Sequence, residues 1–222
     1  MADTARVMTV LAVLAVAGWY GYAWVAAPMA GPSRTAEVNA ASGKAKEAAE
    51  RRLEEAVGTL PGAPRQLGAA AADHCLRHVA FEGEAPGPLS CQWRLERYVV
   101  FDGDLRTVGE TWRKALGNGR WTGSQAPFLP GYASTSERYE YRDPRTHDRL
   151  IITLVQDRDE FRLFGPPPST EPYEVYEREQ RAFTGRKAAE RAVTEGRRVA
   201  RISLVHAYYG QDGRTPLEPV AW

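Results

Sequence analysis

The stretch CQWRLERYVVF (residues 91–101) alternates apolar and polar side chains, with Trp93, Leu95, Val99 and Phe101 falling on one side. A period of two is the mark of a half-buried strand. Asp102-Gly103-Asp104 then turns the chain, and Leu105, Val108, Trp112, Ala115 and Leu116 recur at helical spacing. Asp102 or Asp104 can cap that helix, and Gly117-Asn118-Gly119 ends it. A strand followed by a capped amphipathic helix sets the fold class as α+β and gives the starting point for the rest of the chain.

Downstream, residues 120–136 form a long loop. The alternation of 137–142 and the β-branched run Leu150–Val155 (LIITLV) flank a turn at Asp143–His147 and predict a hairpin. Residues 160–164 add a short strand, and GPPPSTEP (165–172) is a rigid loop. Residues 173–196 carry helical composition, with a break at Thr184-Gly185. Arg198–Tyr209 is a last strand with Ala200, Ile202 and Leu204 on one face. The succession strand, helix, strand, strand, helix, strand predicts a ferredoxin-like (βαββαβ) sheet with helices on one face.

Upstream, KAKEAAERRLEEAV (44–57) has high helix propensity and a thin apolar stripe of Ala45, Ala48, Ala49, Leu53, Ala56 and Val57. It reads as a helix lying on the domain, or else as a stalk or coiled-coil seam between protomers. TLPGAP (59–64) is a breaker, and the alanine-rich segment 65–79 predicts a second helix. Residues 83–90 (GEAPGPLS) form a link, and 28–43 a flexible tether.

No charged side chain lies between Arg6 and Arg34, and Val7–Ala27 is almost wholly apolar. As a helix this run spans roughly 31 Å at about 1.5 Å per residue, which matches a hydrocarbon core. Trp19, Tyr20, Tyr22 and Trp24 crowd its end, where aromatics favour the headgroup region. A cleaved signal peptide is the competing reading. Pro28 directly after the small-residue site Val25-Ala26-Ala27, and four bulky aromatics before it, speak for an uncleaved anchor. The short amino tail is placed in the cytoplasm and the rest outside. The domain plan is therefore 1–33 membrane anchor, 34–90 tether and helical stalk, and 91–222 α+β extracytoplasmic domain with a C-terminal tail.

With 29 basic and 28 acidic residues the net charge is +1, which excludes a whole-chain basic surface for nucleic acid. Cys75 and Cys91 are the only thiols, too few for an all-cysteine zinc site. In an exported domain they pair as a disulfide joining the alanine-rich segment to the first strand. His74 and His78, at i and i+4 on the expected helix, are the weak candidates for metal ligands. Cys75 stands where the HExxH motif has its glutamate base. The Asp102–Asp104 pair lacks the further oxygens of an EF-hand. No GxSxG elbow, Walker loop or GxGxxG is present, and Ser124, Ser134 and Ser136 have no motif around them. The basic run Arg186, Lys187, Arg191, Arg197, Arg198 and Arg201 reads as a solvated face rather than a membrane-binding one. Trp121, Phe128, Tyr132 and Pro166–Pro168 cover the sheet or line a groove. No catalytic residue and no cofactor is assigned.

As a whole the chain resembles the small single-pass, membrane-anchored exported proteins of high-GC actinobacteria. The features are an Ala/Val anchor, an Ala/Glu/Arg stalk, a lone cysteine pair and a compact domain containing FDGDLRTVGETWRKALGNGRW (101–121). The resemblance implies a plasma-membrane protein held in the lipid bilayer through residues 7–27, with an envelope protein or cell-wall partner; it transfers no functional residue. The expected function is a non-catalytic binding or accessory envelope domain. The alternatives are a cell-envelope hydrolase with an unrecognised site and an oligomeric scaffold built through residues 44–57.

Overall fold

The computed structural model describes residues 31–78, 85–125, 136–160 and 173–212. After a 3₁₀ turn at Pro32–Arg34 come helix α1 (Ala36–Gly58), strands β1 (Arg65–His78) and β2 (Ser90–Phe101), and helix α2 (Leu105–Gly117). Strands β3 (Thr122–Gln125), β4 (Ser136–Arg142), β5 (Arg149–Val155) and β6 (Tyr173–Arg181) follow, then helix α3 (Arg186–Thr194) and strand β7 (Arg198–Gly210). The strands form one seven-stranded sheet in the order β3-β4-β5-β7-β2-β1-β6, and every neighbouring pair is antiparallel.

The locally patterned elements form as expected. Odd residues of β2 point to one face, α2 starts on Asp104, whose carboxylate accepts from the Thr107 amide at 3.1 Å, and β4 and β5 make the hairpin. Helix α1 begins eight residues earlier than its Lys44 start, inside the expected tether. Thr35 caps it by accepting from the Val38 amide at 3.2 Å, and Val38 and Ser42 are buried on the sheet.

Two segments with helical composition are strands. Residues 65–78 form β1, and 173–181 form β6. Alanine favours helix only as a weak prior, and pairing on both sides overrides it. β1 is held between β2 and β6, so its backbone groups are satisfied by two ladders. The ferredoxin-like expectation is corrected on two counts. First, β7 inserts between β5 and β2, whereas a ferredoxin-like sheet would place β2 between β7 and β5. Second, helices cover both faces. Apolar residues on alternate sides of β2, β5 and β7 require cover twice over.

On the first face, Trp93, Leu95, Phe101, Leu150, Ile152, Leu154, Ile202 and Leu204 pack under α1 and α2. The stripe Ala45, Ala49, Leu53 and Ala56 of α1 is buried there, so the apolar residues a coiled-coil seam would use already lie against the sheet. On the second face, Tyr98, Val100, Val155 and Val199 pack against Ala189, Ala192 and Val193 of α3. No helix among the described residues is long and apolar enough to cross a membrane. The anchor segment Val7–Ala27, with Trp19, Tyr20, Tyr22 and Trp24, lies outside the described residues.

Candidate functional site

Cys75 and Cys91 are joined by a disulfide, as the sequence suggested, but it links two neighbouring strands rather than a helix and a strand. Both cysteines are buried, and they pack with Val38 of α1 and Leu89. The first turn of α1 therefore sits on the disulfide.

His74 and His78 lie on β1, not on a helix. On a strand, i and i+4 are about 13 Å apart along the chain at roughly 3.3 Å per residue. The single-ligand-face geometry of a helix does not arise. Among the described residues no group of three or more His, Cys, Asp or Glu side chains could hold a metal ion.

His74 is buried on the second face, where Nε2 accepts from the Gln92 amide at 2.8 Å. Burial lowers its pKa to about 4, with Arg94 adding to the effect and Asp73 opposing it. The ring is therefore neutral at neutral pH. The unfolded chain holds the His74 proton up to about pH 6.5, and the folded chain releases it above about pH 4. Stability is complete above pH 6.5 and falls as pH drops through that window. About 2 kcal/mol should be lost between pH 7.5 and 5 from this group. Urea titrations at the two pH values check this. In His74→Gln the pH 5 loss should shrink by that amount, and an unchanged loss would remove His74 as its cause.

The first face carries two buried carboxylates that the sequence did not mark. Asp73 Oδ2 accepts from Ser42 Oγ at 2.8 Å and Arg178 Nε at 2.9 Å, and its Oδ1 accepts from Tyr208 Oη at 2.7 Å. Trp93 Nε1 closes this network by donating to Ser42 Oγ at 3.1 Å. Asp148, fully buried, takes His206 Nδ1 at 2.6 Å on one oxygen and Arg52 Nε at 2.5 Å on the other. A histidine–carboxylate pair is half of a general-base arrangement. Among the described residues, however, no hydroxyl or thiol is hydrogen-bonded to His206. Both clusters connect α1 to the sheet, and both read as ties.

The second face is different in kind. Beyond the end covered by α3, its side chains are polar yet buried. Glu96, Thr153, Arg201 and Ser203 are each 4% exposed or less. Register places them in rows: Tyr98, Arg201, Thr153 and Arg138 side by side, then Glu96, Ser203, Ile151 and Glu140. Glu96 lies 3.1 Å from Arg94 and 3.7 Å from Arg201, and accepts from the Tyr98 hydroxyl. Burial pushes the Arg201 pKa down against the pull of Glu96, and it pushes Tyr98 up, helped by Glu96. Glu140 is taken by Arg149 at 2.8 Å. Beside this patch a cavity of about 140 Å³ opens between β1, β2 and β6, lined by His74, Arg94, Val175, Glu177 and Gln180. Val175 is the large hydrophobic residue that stands exposed among the described residues.

No family model matches this chain, and no curated protein or solved structure matches it at a significant level. The polar second face therefore has to be judged on its own chemistry. It concentrates guanidinium, hydroxyl and amide donors from β2, β4, β5 and β7, and it suits recognition of a polar or anionic group.

The remaining candidates are scattered. Asp104 is a helix cap and Trp121 a core residue. Arg186 pairs with Glu190 at 3.0 Å and Arg197 with Asp102 at 3.7 Å, whereas Arg201 is buried in the sheet, so the basic run is not one surface. Phe128, Tyr132, Ser134 and Pro166–Pro168 lie outside the described residues. The residues missed, Glu96, Arg138 and Thr153, gave one local signal: polar residues at alternate positions of apolar strands. That pattern normally marks a solvated face.

Proposed function

We propose that this is a single-pass, membrane-anchored protein whose disulfide-bonded α+β domain lies outside the cytoplasm and acts as a non-catalytic binding or accessory domain of the cell envelope. The observation that carries the reading is the buried cross-strand disulfide Cys75–Cys91, downstream of the apolar run Val7–Ala27. Disulfides persist in oxidising compartments and are rare in the cytosol. The apolar run has the length and the aromatic end of a bilayer-spanning helix, and the bilayer would be its partner.

The binding role is supported by the polar second face and by the dispersal of the histidines. His74 lies on the second face, His206 on the first, and His147 in an exposed turn. The partner would be an envelope protein or a cell-wall component.

The test uses the full-length chain in its membrane, with a reporter active only outside the cytoplasm fused after Trp222. Active reporter and thiols that react with a maleimide only after reduction are expected. A silent reporter, together with freely reacting thiols, would sink the location.

A further inference from the structure

We propose that the second face of the sheet holds a phosphate-type oxyanion between Arg138 of β4, Thr153 of β5 and Arg201 of β7. This deepens the binding reading above and rests on it, but not on the membrane location.

The three residues stand in one lateral row, with Thr153 paired to Arg201 on one side and to Arg138 on the other. Adjacent strands are about 4.8 Å apart, so the two arginine backbones lie roughly 10 Å from each other with the threonine midway. That span lets two long side chains converge over the hydroxyl.

Two unmet donors point to a ligand. Thr153 Oγ1 is buried, the residue being 2% exposed, and makes no hydrogen bond, and Arg138 Nε is buried without an acceptor. A buried donor left unpaired is costly, and one oxyanion would accept from both. The surrounding charge has the right sign. Among the described residues Arg94, Arg138 and Arg201 gather around this part of the face, with Glu96 against Arg94 and Arg201 and Glu160 against Ser136, two positions from Arg138 on the same side of β4. Glu140, the next carboxylate along β4, is engaged by Arg149. Arginine suits oxyanions because its planar fork offers parallel donors to two oxygens.

The ligand could be free phosphate or a phosphate ester carried by a larger envelope molecule; the recognising chemistry is the same. The purified full chain in detergent would be titrated with inorganic phosphate and, separately, with glycerol 3-phosphate. Sodium chloride at matched ionic strength is the control. A saturable rise in Tm and saturable heats are expected with at least one of the two phosphates and not with chloride. A preference for the ester would identify a headgroup-like source, and a preference for inorganic phosphate the free ion. Arg138→Gln should weaken binding at least tenfold and Thr153→Val about three- to tenfold. Arg138→Lys, which keeps the charge and the fold but loses the fork, should fall between wild type and Arg138→Gln. The proposal is overturned if neither phosphate binds, if chloride gives the same rise, or if Arg138→Lys and Thr153→Val, both folded, bind as wild type does. Such a failure alongside correct reporter activity would remove the oxyanion and leave the location standing.

Discussion

Replacing Asp73 with alanine should destabilise the protein by about 3–5 kcal/mol, the usual cost of removing one partner from a buried ion pair. The reason is geometric. Asp73 is 2% exposed and accepts three hydrogen bonds from side chains of three separate elements: Ser42 of α1, Arg178 of β6 and Tyr208 of β7. Without the carboxylate, the Arg178 guanidinium stays in a nearly buried position with its charge uncompensated. Its Nη2 would still donate to Asn39 at 2.9 Å and its Nη1 to the Ser33 carbonyl, which holds it in place rather than freeing it to reach water. The Tyr208 hydroxyl and Ser42 would lose their acceptor as well. Urea unfolding at pH 7 measures the effect, read as a fall in midpoint at constant m. Asp73→Asn keeps an acceptor and the shape and should cost less. A loss below about 1 kcal/mol in Asp73→Ala would show that Arg178 finds another partner and that the network is dispensable.

The second large effect concerns the disulfide. Cys75 and Cys91 are separated by 16 positions, and the chain-entropy relation gives about 3 kcal/mol for closing a loop of that size. The double substitution Cys75→Ser, Cys91→Ser should lower stability by about that amount. Two hydroxyls would also be left in an apolar cluster with Val38 and Leu89. Because the first turn of α1 rests on this bridge, amide exchange in residues 36–42 should rise more than in the centre of β7, where both neighbours β2 and β5 remain. Unchanged stability on reduction of the wild-type protein would contradict this, since it would mean that the β1–β2 ladder alone restrains the unfolded chain no less well.

How far the sequence can be read follows from where each element draws its stability. β2, α2, the β4–β5 hairpin and β7 each carry their own apolar period, cap or turn, so their type is legible within a dozen residues. The Asp104 cap and the cysteine pairing belong to the same class of local or compositional signals. β1 and β6 do not. Alanine-rich 65–78 and glutamate-rich 173–181 carry helix-favouring composition, and their strand form comes from pairing with each other and, for β1, with β2. That pairing is tertiary information.

The candidate site lies wholly in this second class. Arg94, Arg138, Thr153 and Arg201 come from four strands, and each is unremarkable in its own segment. Insertion of β7 between β5 and β2 puts Arg201 beside both Tyr98 and Thr153. A different strand order would have dispersed the same residues. By itself the sequence determined the α+β class, the strand–helix–hairpin pieces, the apolar amino-terminal run and the one possible disulfide, because each depends on local periodicity or on a count. Only the tertiary structure decided the strand order, the second covered face and the convergence of buried polar groups there, because hydrogen-bond ladders join residues more than a hundred positions apart.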